Sequence, residues 1–186
     1  MLLNSRNVAM GGMFTALAVI CIFLSGALEM NTLFFIVLAA FLMGTVLYIT
    51  NLRYALAAWA ATLILGFFLC PVKIYLVTFA ACSLYVLCEE YIWKKRRSGK
   101  VVRPQVEWLV KSALWAFCVV AGFLFVTFTT GFQALVAGYF LWLSETLRML
   151  VFVVAPIIFM ILMDRVYIAY SMMMIRLLKL TDPGAQ

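Results

Sequence analysis

Long apolar runs alternate with very short polar interruptions along this chain, and only one interruption is sustained. A polar lead over 1–7 precedes a first apolar run over 8–28. Tight turns at 29–31, 51–53 and 71–73 separate further runs over 32–50, 54–70 and 74–92. A basic segment over 93–108 follows, then runs over 109–130 and 147–163. Each run is near the roughly 17–25 residues that a bilayer-crossing helix needs. Within the runs the apolar residues are continuous rather than alternating, which selects helices over barrel strands. The pattern predicts an all-α integral membrane protein, a six-transmembrane-helix bundle forming one membrane domain over 1–186.

Two stretches depart from that simple rhythm. The run over 132–143 is too short to span and reads as a re-entrant or interfacial helix. The tail over 164–180 places Arg165, Arg176 and Lys179 within about 60° of one another on a helix. It reads as a C-terminal interfacial helix with basic heads toward anionic lipid, or else as an extension of the sixth span.

Composition agrees with burial in lipid. Hydrophobic residues make up 68% of the chain and charged residues 11%, where a soluble domain averages about 25% charged. The mean hydropathy is +1.15. The first run is too long for the apolar core of a typical signal peptide, and no small-residue cleavage site closes it, so it reads as a retained span.

Charge fixes the expected orientation. With the N-terminus inside, Arg6, Arg53, Lys94, Lys95, Arg96, Arg97, Lys100, Arg103, Lys111, Arg165, Arg176 and Lys179 lie on the inner side. Only Lys73 and Arg148 fall outside. Positive charge resists translocation, so both termini are expected to be cytoplasmic. Trp93 and Trp108 sit where inner-belt aromatics belong. The net charge of +7 lies at the ends of apolar runs, where it serves topology and anionic lipid rather than nucleic acid.

Candidate chemistry is sparse. The chain has no histidine and no phosphate-binding, zinc-protease, dinucleotide or hydrolase motif, so neither catalysis nor a metal site is expected. Cys21, Cys70, Cys82, Cys88 and Cys118 fall in or at the ends of apolar runs and read as buried thiols. Glu89, Glu90 and Glu107 adjoin basic residues and read as surface pairs.

On the outer side, Glu145 and Arg148 are three residues apart and can share one helix face. Together with Lys73, Trp142 and Tyr75 they form a candidate polar ligand site with ring-stacking surfaces. A local ion pair within an aromatic belt is the alternative. In the first run, Ala9, Gly12 and Ala16 fall within about 60° on a helix, a stripe of small residues suited to close helix approach. Ala58, Thr62 and Gly66 form a similar row in the third run, expected to pack within the molecule.

The opening Asn7-Val8-Ala9-Met10-Gly11-Gly12-Met13-Phe14-Thr15-Ala16-Leu17-Ala18-Val19 and the six-span, N-in, C-in layout resemble the S components of energy-coupling factor transporters. Pro71-Val72-Lys73, Glu89-Glu90-Tyr91-Ile92 and the segment 106–111 also resemble a six-span membrane protein family of Gram-positive bacteria with S-component-like topology. The first resemblance implies capture of a small water-soluble, vitamin-like nutrient. It further implies docking through Ala9, Gly12 and Ala16 onto a T component driven by separate ATPases. A six-span structural or interaction protein with no transported ligand is the competing expectation.

Overall fold

The computed structural model of the chain describes residues 5–28, 31–70, 72–97, 104–130 and 145–181. They form α1 (Ser5–Ala27), α2 (Thr32–Ile49), α3 (Leu52–Leu69), α4 (Lys73–Arg97), α5 (Pro104–Thr130) and α6 (Glu145–Thr181). No strand occurs among the described residues. Five of these helices contain stretches long and apolar enough to cross a membrane: α1, α2, α3, α4 and Ile157–Met174 of α6. The short apolar run over 132–143 lies outside the described residues.

Two boundaries differ from the sequence expectation. The basic segment does not stay a loop over 93–108, because α4 continues through Lys94–Arg97 and α5 starts at Pro104. Lysine and arginine are good helix formers and favour the negative C-terminal end of a helix dipole. Proline at a first helical position loses nothing, since its missing N–H has no partner there anyway. The tail takes the second of its two expected forms: α6 runs unbroken through Asp164 and Arg165 for 37 residues, so 164–180 continues that helix rather than forming a separate interfacial one. At 1.5 Å per residue that is about 55 Å, well beyond the roughly 30 Å of a hydrocarbon core.

The chain divides into two compact units, Met1–Trp115 and Ala116–Gln186. In the first, α2 is the hub, packing most extensively on α1 and α4, while α1 also packs on α3. Ala18 and Ile22 of α1, Ile36, Met43 and Leu47 of α2, Ala55 and Ala58 of α3, and Phe79 and Leu87 of α4 share one core. Buried Ala39, Ala40 and Gly44 on α2 let neighbouring backbones come close, as helices in lipid require. The expected inward row on α3 is there: Ala58, Thr62 and Gly66 are all buried.

Polar side chains in this core satisfy themselves locally. Ser25, Thr62 and Ser83 hydroxyls donate to the carbonyls of Ile22 (2.7 Å), Ala58 (2.8 Å) and Phe79 (2.6 Å) within their own helices. Between helices of this core, Trp59 Nε1 on α3 donates to Ser83 Oγ on α4 at 2.8 Å and Thr62 Oγ1 on α3 to Met43 Sδ on α2 at 3.8 Å.

Helix ends are closed by lysines. Lys94 Nζ donates to the carbonyls of Leu47 (3.1 Å) and Thr50 at the end of α2. Lys73 Nζ donates to the carbonyls of Cys70 (2.9 Å) and Phe67 at the end of α3. Terminal carbonyls have no intrahelical partner and water is scarce at this depth, so a cation is an effective cap. In the second unit, Met160, Met163, Tyr167 and Ser171 are buried at helical spacing along α6, and Tyr167 stacks on Tyr170 at 6.3 Å.

Candidate functional site

Two features of the first unit carry chemical or recognition potential. The first is a face of α1. Gly11, Thr15, Ala18, Ile22 and Ser25 recur every three or four residues and are buried, so they define the side turned toward the unit's own helices. Ala9, Gly12 and Ala16 lie on the other side and are exposed, together with Met13, Ile20 and Phe23. A Cβ placed on Gly12 would meet nothing within 4 Å. Among the described residues of the first unit, the small-residue stripe is thus not used for packing α1. Its surroundings, in a bilayer, are lipid tails or another helix.

The second feature is a buried charge cluster where α4 meets α5, which the sequence reading missed. Glu89 and Glu90 do not form surface pairs: they are 0% and 1% exposed. Lys111 on α5 is 5% exposed, and its Nζ lies 2.7 Å from Glu89 Oε1 and 3.1 Å from Glu107 Oε1. Arg96 pairs with the same Glu107. Arg97 Nη2 lies 3.3 Å from Glu90 Oε1, and its guanidinium sits over Tyr48, 4.8 Å from the ring centre. Trp115 meets Tyr85 edge-on at 5.5 Å one turn further into α5.

The charges that were expected to be solvated are therefore shared between helices. Ionic contacts gain strength where water is excluded, and bringing charged groups there is costly unless they pair. Two sequence features pointed this way. Lys111 lies between Leu109-Val110 and Ala113-Leu114, and Glu89-Glu90 lies between Leu87-Cys88 and Tyr91-Ile92. A charge flanked on both sides by apolar residues in a membrane helix needs a partner on a neighbouring helix.

Of the candidate ligand residues, the structure describes the side chains of Lys73 and Tyr75. Lys73 is exposed and engaged in capping α3, and its ammonium lies 4.6 Å from the centre of the Phe67 ring. Tyr75 is half-buried against the core of the first unit. Glu145 and Arg148 lie in the first turn of α6, but their side chains are outside the described part of the structure. Trp142 lies outside the described residues altogether. Trp108 is 53% exposed, as an interfacial anchor would be.

The described residues contain no group of three or more histidine, cysteine, aspartate or glutamate side chains placed to hold a metal ion. All five cysteines are free thiols. The chain matches no protein-family model, no curated protein and no solved structure.

Proposed function

We propose that this protein is a six-span, N-in and C-in subunit of a bacterial inner membrane that docks onto a partner membrane protein through α1. In this reading it works as an S component does. It captures a small water-soluble, vitamin-like nutrient at its outer end and delivers it through a T component with separate ATPases. The observation that carries the reading is the outward stripe of Ala9, Gly12 and Ala16, which no helix of the chain's own first unit uses. Small residues on a lipid-facing surface are where a second helix approaches most closely.

Gly12→Leu tests the docking half. A Cβ at 12 meets no described atom within 4 Å, so the variant is expected to accumulate and melt like the parent. Its co-purification with a membrane partner from native membranes is expected to fall at least about tenfold, the loss of roughly 1.4 kcal/mol of helix contact. Undiminished co-purification would remove the stripe from the interface.

The capture half assigns the ligand to Glu145, Arg148 and Lys73, with Trp142 and Tyr75 as stacking surfaces. Mass spectrometry of the purified protein is expected to find a bound water-soluble molecule, and Arg148→Ala is expected to weaken it by about 1.5–3 kcal/mol, as for a hydrogen bond to a charged group.

One observation favours the second reading, an interaction protein with no cargo. Lys73, the described cation of the outer set, gives two of its three N–H donors to carbonyls at the end of α3. A purified protein that carries no small molecule but still loses its partner on Gly12→Leu would select that reading.

A further inference from the structure

Beside the α3–α4 turn the first unit has an open groove of about 430 Å³. It is lined only by apolar side chains, among them Leu63, Ile64, Phe67 and Phe68 of α3 and Leu76 and Val77 of α4. Phe68 is 79% exposed and Ile64 60% exposed, so the groove opens away from the core. Its size is within the range of small-molecule sites, yet its lining offers a water-soluble nutrient nothing to bond. An unbranched hydrocarbon chain suits it.

Among the described residues, a charged side chain stands beside the groove. Lys73 starts α4, and its ammonium sits over Phe67, a groove-lining ring. Lysine has three N–H donors, and two are given to the carbonyls of Phe67 and Cys70. The third is left for an anion at the level where α3 ends and α4 begins. An apolar channel along two membrane helices with a cation at its polar end matches one kind of molecule: a phospholipid with an anionic headgroup.

We propose that the α3–α4 groove holds one anionic phospholipid, its acyl chain along Leu63, Phe67, Leu76 and Val77 and its phosphate at Lys73. The site requires only that α3 and α4 cross the membrane, and it stands whether or not the chain carries a nutrient. The lipid occupies the leaflet on the side of the α3–α4 turn.

The test is native mass spectrometry of the full-length protein with added phosphatidylglycerol or phosphatidylcholine of the same acyl chains. One phosphatidylglycerol is expected to stay bound through activation that strips phosphatidylcholine. Ala80→Phe places a ring in the groove from its α4 wall and is expected to lower retention of both lipids. Lys73→Met is expected to lower phosphatidylglycerol retention about fivefold, the worth of one cation near an anionic surface, and to leave phosphatidylcholine unchanged. Lys73→Arg keeps the charge and is expected to keep the preference, which separates the headgroup contact from any loss of the α3 cap. Equal retention of the two lipids, or retention indifferent to Ala80→Phe, would overturn the proposal and leave only annular lipid. Displacement of the bound lipid by inorganic phosphate alone would also overturn it, since the groove would then contribute nothing.

Discussion

Replacing Lys111 with methionine is expected to destabilise the first helical unit by about 3–5 kcal/mol, the cost of leaving a buried charge without its counter-charge. Lys111 stands 2.7 Å from Glu89, which has no exposed surface. Methionine matches the lysine stem in length and apolar character, so the loss isolates the ammonium. The companion experiment is the double variant Lys111→Met, Glu89→Met. Removing both members of a buried pair is often neutral or stabilising, so the double variant is expected to recover most of the loss. The readout is the thermal midpoint in detergent for the parent, both single variants and the double. Additive losses would show that the two side chains are not coupled.

Gly66→Leu is expected to cost about 1–3 kcal/mol, as overfilling a packed site does. A Cβ at position 66 would lie 2.7 Å from Leu76 Cδ1 on α4 and 3.9 Å from Ile22 Cδ1 on α1. At Gly66, α3 therefore packs closely against side chains of both neighbours. Alanine is a different case. Its single methyl needs only the tip of Leu76 to turn aside, and removing a mid-helix glycine contributes roughly 0.5–1 kcal/mol in the other direction. Gly66→Ala is expected to be near neutral, and the contrast between the two variants, read by thermal melting, checks the packing. Gly12 supplies the control: the same leucine substitution there meets open surroundings.

The helices were legible in the sequence because lipid imposes a coarse rule. A run of apolar residues of spanning length has one stable form, and short polar turns mark its ends. The first four helices accordingly start and stop within a few residues of their expected limits, apart from the C-terminal end of α4. That end was misread because a run of lysine and arginine is compatible with either a loop or a charged helical turn, and only the carbonyls waiting on α2 decide for Lys94. The direction of the α1 stripe was not legible either. Periodicity puts Ala9, Gly12 and Ala16 on one face and Gly11, Thr15 and Ala18 on another, and both faces are rich in small residues. The contacts with α2 and α3 choose between them.

The buried cluster illustrates a different limit. Adjacent glutamates at 89 and 90 beside four basic residues look like a solvated helix end when each helix is taken alone. Lys111 is more than twenty positions away, and its approach depends on how α5 returns past α4. Pairing over that distance is a property of helix docking, which neither local composition nor hydropathy encodes.

The lysine that closes α2 has a consequence for biogenesis. Lys94 reaches back to carbonyls at Leu47 and Thr50. A nascent chain emerging in order exposes the α2–α3 hairpin to the membrane before this lysine has been synthesised. The hairpin's inner corner is then incomplete until nearly all of α4 has left the ribosome. Fragments truncated shortly after α3 are expected to be cleared by quality-control proteases faster than fragments that extend past Arg97.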